Sequence, residues 1–429
     1  MIPPLGQKFS NKACITRKTT PFRFRQNLYA CLILIFLYSS LCRAQSKTDS
    51  LEHKHPSSVF YAIRLSTHPL GMLSSRTDNT FQTEAAKKIS LAINLSSGNV
   101  WLPYVKAYQP MNEEDKTLMQ ALDWNDRDYF YDQENKPSES IEFQADGVFR
   151  FFQIQLNLPL TEKHELKINT RAFTLDEGKV PWSLLTSDRL IEWFHSHISG
   201  GEDPFARRVY GLDQAYMSYV DENGKSLEVI KGQLSWSGFD LAYTHYPGFK
   251  GLQKHQIYTN FGMQLGVNVS QFNPSLDLGF NASLVKNIAF NNSQQLRLGV
   301  GLSSFHQHLV RFGDGVQLRN KHSLLSSELL VNYIIPGKRN GYFSLALSYY
   351  IQSSYNKKRD FETLVLTGDR IVSHWHYSIS HLYKVLSANY LIFSYAKGAV
   401  AYSVYIREDF SVDNAPDAQV GIGIKISFK

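Results

Sequence analysis

The side chains best suited to do chemistry lie in the run His374-Trp375-His376-Tyr377-Ser378. In an extended chain, period two sets His374, His376 and Ser378 on one face. An imidazole beside a hydroxyl can take its proton and make a nucleophile of it, so His376 and Ser378 form a candidate catalytic pair. Such a pair also needs a third group to orient the imidazole. Ile379 follows the serine, and spacing assigns no orienting residue. Polar residues on one face of a strand explain the same pattern without any reaction. Glu408, Asp409, Asp413 and Asp417 form an acidic group in which Asp413 and Asp417 are candidate cation ligands, but Asp413 to Pro416-Asp417 also reads as a tight polar turn. His306 and His308 fall on one strand face, a spacing that suits a transition metal or simple polarity. His164-Glu165 lacks the second histidine of a zincin helix, and no glycine loop has phosphate-cradling spacing. No cofactor is expected.

These residues need elements to hold them, and the elements are strands. From Ile257 to Val269 the odd positions are Ile, Thr, Phe, Met, Leu, Val and Val, while the even ones are Tyr, Asn, Gly, Gln, Gly and Asn. The alternation returns at Leu276–Leu284, Leu296–Leu302, Phe343–Ile351, Val400–Ile406 and Val420–Phe428. Earlier, Ile89–Leu95, Phe152–Leu158 and Leu166–Ile168 show it too. Asn223-Gly224 between two runs predicts a hairpin turn.

Soluble sheets alternate as well. Three features favour a membrane instead. About ten residues, tilted about 40°, span about 25 Å, the height of an outer-membrane apolar band. The polar face is rich in Gly, Ser, Asn and Gln, which suits a wet lumen. Tyr and Phe gather near strand ends, as an interfacial girdle requires. Lipid cannot satisfy a sheet's edge, so the sheet must close. The expected fold is all-β: an antiparallel transmembrane β-barrel of about 12–14 strands with one short helical insertion. The rival reading is a soluble periplasmic ligand-binding β-protein.

The N-terminus carries an address. Lys8, Lys12, Arg17, Lys18, Arg23 and Arg25 precede an apolar run from Leu28 to Leu41, and Cys42-Arg43-Ala44 closes it. That is a secretory signal peptide over 1–44, cleaved near Ala44. Lipidation at Cys42 is the alternative, though Leu41 stands where a small residue is expected. All seven charges of the segment are basic, and without them the 45 Lys and Arg of the chain fall to 38, equal to its 38 Asp and Glu. The basic balance therefore belongs to the signal, and no nucleic-acid partner is expected. Cys14, Cys31 and Cys42 all lie there, which excludes disulfides and thiolate sites downstream. Residues 45–58 read as a flexible polar leader and 59–429 as the barrel.

One stretch breaks the strand pattern. After Pro181 and Trp182, Ser187 is a candidate N-cap for a helix from Asp188 to Ser199 that ends at Gly200-Gly201. Ile191, Phe194 and Ile198 share a stripe, so 181–200 is expected to form a luminal plug or a helical loop. Residues 107–140 are a second polar interruption.

Two segments resemble a family of bacterial outer-membrane barrels known only as a domain of unknown function. One is Phe194-His195 to Gly200, then Asp203-Pro204-Phe205-Ala206-Arg207-Arg208 and Tyr210-Gly211-Leu212. The other is Glu408-Asp409-Phe410 with Val412-Asp413-Asn414-Ala415-Pro416-Asp417. This resemblance implies a barrel and no activity. Separately, a His-x-Ser pair on a barrel strand resembles outer-membrane acyl hydrolases, although those place an Asn after the serine. The expected function is a passive channel or a structural or binding barrel in the outer membrane of a Gram-negative-type bacterium; a lipid acyl hydrolase is the alternative. Lys167, Arg171, Arg297 and Lys425 are expected to face the lumen and tune ion preference. Phe428 resembles the C-terminal aromatic signal read by barrel-assembly machinery. Outer-membrane lipid and small solutes are the other expected partners.

Overall fold

The computed structural model describes residues 66–428 except 67, 125, 182, 200–213, 291–292, 338–340, 368–382 and 409–417. The signal and leader, His374, His376, Ser378, Asp413 and Asp417 all lie outside the described residues.

Fifteen strands form one antiparallel sheet. They are β1 (Ser90–Pro110), β2 (Ser138–Thr161), β3 (His164–Asp176), β4 (Tyr216–Val220), β5 (Ser226–Ile230), β6 (Ser235–His245), β7 (Ile257–Asn268) and β8 (Ser275–Ala289). The rest are β9 (Gln295–Arg311), β10 (Ser323–Pro336), β11 (Gly341–Gln352), β12 (Val365–Thr367), β13 (Leu386–Lys397), β14 (Val400–Glu408) and β15 (Ala418–Ser427). Twelve of them close a barrel in the order β1-β2-β3-β6-β7-β8-β9-β10-β11-β13-β14-β15. The ring shuts where β15 meets β1, from Ser90↔Ser427 to Gly98↔Gln419. The short strands β4, β5 and β12 extend the sheet above the ring: β4 pairs with β2 at 142–146 and β12 with β1 at 106–108.

The period-two pattern explains which face is which. Ile93, Ile154, Phe280, Leu347 and Ile424 point out and stay 42–59% exposed, while Asn94, Gln264, Asn268, Glu328 and Asn332 point in and are buried. A soluble protein inverts this arrangement, because apolar area left in water costs about 25 cal/mol per Å². In hydrocarbon the same belt is at home and the polar groups are satisfied inside.

The two ends differ. Connections 162–163, 246–256, 290–294, 337–340 and 398–399 lie at one end, where the segment leading into β1 and the end of β15 also sit. Connections 111–137, 177–234, 269–274, 312–322 and 353–385 lie at the other. At this long-loop end β1 and β2 outrun the ring, and Val100, Leu102, Phe143, Phe149, Met217 and Leu227 pack into one apolar cluster with Leu70 and Leu73. Short helices lie at Glu113–Ala121, Arg127–Phe130 and Asp188–Phe194 in the loops of this end and at Lys250–Gln253 at the other. Asn112 caps the first, accepting a bond from the Asp115 amide at 2.7 Å.

Two sequence expectations are corrected. His306 and His308 do not share a face. His308 takes a left-handed φ of 57° where the β8–β9 register slips, so its side chain turns inward while His306 stays on the outer side. The stripe Ile191, Phe194, Ile198 also breaks. The helix widens after Phe194, leaving Ile191 buried but Phe194 and Ile198 exposed.

Candidate functional site

The lumen is occupied. Residues 66–89, just before β1, enter at the long-loop end and run down inside the ring to the short-turn end. Near the top, the Ser66 hydroxyl lies 2.9 Å from the Tyr355 hydroxyl, and the Asn273 amide donates to the Leu73 carbonyl at 3.0 Å. Lower down, Gln264 Nε2 donates to the Ser75 hydroxyl at 3.0 Å and to the Arg76 carbonyl at 2.7 Å. Asn260 Nδ2 then donates to the Thr80 and Gln82 carbonyls at 2.7 and 3.2 Å. At the bottom, the Ala86 amide donates to Glu165 Oε2 at 2.9 Å. The segment is too polar and irregular to form a strand of its own. Wall side chains therefore satisfy backbone groups that would otherwise be buried unpaired.

Glycines in the wall make room for it. A Cβ added to Gly266 would overlap Ser75, one on Gly279 would overlap Thr77, one on Gly301 would overlap Asn79, and one on Gly299 would overlap Phe81. Alternate residues of the segment thus each sit over a glycine of β7, β8 or β9. Phe81 is 1% exposed and packs among Val285, Leu330, Tyr350, Tyr390 and Tyr405. Gly-rich luminal faces were legible in the sequence as polarity. That they are holes for another segment was the signal missed.

Charged groups on β3, β6 and β8 also hold the segment. Arg171 pairs through Nε with Asp240 Oδ2 at 2.8 Å, and donates from Nη1 to the Ser74 carbonyl at 2.9 Å and from Nη2 to Asn268 Oδ1 at 3.0 Å. Asp277 accepts from the Ser75 amide at 3.2 Å and the His308 amide at 2.8 Å. Lys167 lies 3.4 Å from buried Glu165 and donates to the Thr80 hydroxyl at 3.3 Å. Beside the segment remains a chamber of about 170 Å³, bordered by Lys167, Arg171, Lys425, Gln153, Gln155 and Asn169. Arg297, on the inward face of β9 with Gly299 and Gly301, does not border the chamber; it is buried, with Nε donating to Asn287 at 3.1 Å. Among the described residues no three His, Cys, Asp or Glu converge as metal ligands.

Titration is shifted in the loops as well. Lys179 and Lys231 hold the Glu177 carboxyl down to about 2. Burial, reinforced by Glu165, pushes the Tyr246 phenol well above its ordinary value, so it stays protonated and donates to Gln82 at 2.6 Å.

Phe428 is half exposed on the outer surface, and its amide donates to the Ile89 carbonyl at 2.8 Å. The helix near 188–194 does not enter the lumen. Asn99, on the outer face of β1, donates to Asp188 at 2.6 Å, and the Thr186 hydroxyl donates to Ser97 at 3.0 Å.

No known family pattern matches the chain, and no curated protein matches it in sequence. Among solved structures, an outer membrane channel from Pseudomonas putida F1 is similar at 7% identity over 82% of this chain and 100% of that one, with a TM-score of 0.39. LpxR from Salmonella typhimurium is similar at 8% identity, 79% and 100% coverage and a TM-score of 0.34. The transport unit of the autotransporter AIDA-I from Escherichia coli follows at 7% identity, 80% and 91% coverage and a TM-score of 0.35. The chain is similar to these proteins as a β-barrel, and none of them carries a solute, lipid or partner over to it.

Proposed function

We propose that this protein is an outer-membrane β-barrel of a Gram-negative-type bacterium whose passage for small solutes is held shut by residues 66–89. The observation that carries the reading is the seating of Ser75, Thr77, Asn79 and Phe81 over four wall glycines. Bulkier wall residues would block the lumen permanently, whereas glycines leave a cross-section that one removable segment fills. When that segment withdraws, Lys167, Arg171 and Lys425 border the freed path beside Glu165 and Asp240 and tune its ion preference. Outer-membrane barrels keep short turns on the periplasmic side, so the long-loop end faces outward. Lipid surrounds the belt, and β15 with Phe428 is the piece offered to the assembly machinery.

Planar-bilayer recording tests this. The full chain should give few or no conductance steps, and the chain lacking 66–88 should give frequent, larger ones. The double variant Arg171→Ala/Gln264→Ala, which loosens the segment without removing it, should fall between. Equal conductance in all three, each folded by heat-modifiable gel migration, rejects the reading.

A further inference from the structure

The outer surface of the barrel has a gap in its apolar belt. Ile93, Ile154 and Ile168 face out on β1, β2 and β3 and are 40–48% exposed. Two pairings higher, the same outward faces carry Ser97, Arg150 and Thr174, then Asn99, Val148 and Asp176. Polar groups at that height would lie against hydrocarbon unpaired. They are covered instead by the chain from 176 to 199. Thr186 bonds Ser97, Asp188 accepts from Asn99, and Asp176 pairs with Arg150 at 2.5 Å and accepts from the Ser183 hydroxyl at 3.2 Å. Ser97, Asn99 and Asp176 are consequently buried.

The covering strap turns the other way on its far side. Leu184, Leu185, Trp193, Phe194 and Ile198 all point away from the wall and are 46–60% exposed. The belt continues at the same height on both flanks. Val420 pairs with both Ser97 and Ile406, and Ile406 is exposed. On the β6 side Leu234 and Trp236 are exposed as well. The strap therefore restores apolar character where three strands lack it.

We propose that residues 183–199 are a lipid anchor: an external strap whose apolar face sits in the acyl layer next to the head groups at the long-loop rim. This rests on the reading of the barrel as a membrane protein. Its ligand is lipid hydrocarbon, since the patch is contiguous with the lipid-facing belt and lies outside the wall. A surface helix with one apolar face lies in such an interface and binds in proportion to the area it buries.

The test uses single-cysteine labels in a full chain with Cys14, Cys31 and Cys42 changed to Ser. A polarity-sensitive dye is placed on Leu185→Cys, on Val404→Cys within the belt, or on Gln120→Cys in an outward loop helix. Each protein is reconstituted into phosphatidylethanolamine–phosphatidylglycerol vesicles and quenched by nitroxide-bearing lipid or by aqueous iodide. The Leu185 label should be quenched by the lipid nitroxide within about two-fold of Val404, and by iodide at least about five-fold less than Gln120. Iodide access like that of Gln120, with Val404 still lipid-quenched, overturns the anchor and leaves the barrel intact. Protection from both quenchers, with a dimer in cross-linking, also overturns it, because a second copy then covers the strap. A Val404 label quenched mainly by iodide overturns the membrane reading itself.

Discussion

Truncating Phe81 to Ala is the sharpest way to ask whether the internal segment is a gate. The ring is 1% exposed and lies over Gly299, enclosed by Val285, Leu330, Tyr350, Tyr390 and Tyr405. Removing a buried Phe side chain costs about 3–5 kcal/mol in burial and cavity terms. Phe81 belongs to the segment and its pocket to the wall, so the loss falls on the seated state and leaves the withdrawn state untouched. At about 1.4 kcal/mol per decade, the withdrawn fraction should rise between about 10²-fold and about 4 × 10³-fold. Planar-bilayer recording reads this as open probability, with single-channel amplitude unchanged. Met119→Ala is the control. Met119 is fully buried with Tyr131 and Val365 in a loop cluster remote from the lumen, so its loss should lower stability without changing conductance. A folded Phe81→Ala protein with the open probability of the parent chain refutes the reasoning.

Other perturbations follow from the same geometry. Gly238 has a φ of +149°, and a Cβ there would overlap the Val267 carbonyl oxygen. Gly238→Ala should cost at least about 1–3 kcal/mol of backbone strain and lower the temperature at which the heat-modified gel band appears; an unchanged transition contradicts it. The Glu177 carboxyl is depressed from 4.5 to about 2, so its ties to Lys179 and Lys231 are complete above about pH 4.5 and are lost as pH falls toward 2. Carboxyl NMR should show that low midpoint, and Lys231→Ala should raise it. In the chain lacking 66–88, Lys425→Glu should move the reversal potential toward cation preference under a salt gradient. N-terminal sequencing of the outer-membrane form should begin at Gln45, and any later start moves the processing site.

The wall was largely legible in the sequence. Between 257 and 268, and again between 276 and 284, the residues read as apolar from alternation are the ones that face out. Strand pairing repeats that period, so a local pattern suffices. The occupied lumen was not legible. Gly266, Gly279, Gly299 and Gly301 are matched by Ser75, Thr77, Asn79 and Phe81, far away in sequence, and a glycine shows a hole without showing what fills it. The filler carries no apolar alternation to read: Ser75, Thr77 and Asn79 are polar, and so are Arg76, Asp78 and Thr80. His308 was misplaced for a related reason: one bulged residue reverses every assignment that counts in twos. Pro181, Ser187 and Ile191 did mark a helix, but a stripe of apolar residues does not tell water from lipid. Once the outer face of β1 proved polar at Ser97 and Asn99, the exposed side of the strap acquired a reason.

The closure of β15 onto β1 constrains the order of assembly. The inner segment precedes β1 in the chain, while the ring can be sealed only by the last strand to be made. The segment's bonds to Arg171, Asn260 and Gln264 can form as those strands are laid down, with the hairpins curling around it while the β1 and β14 edges still stand open. The segment then serves as a mandrel for the curling sheet, and a chain stalled before β15 would present two sticky edges and a half-clothed core to the quality-control proteases of its compartment.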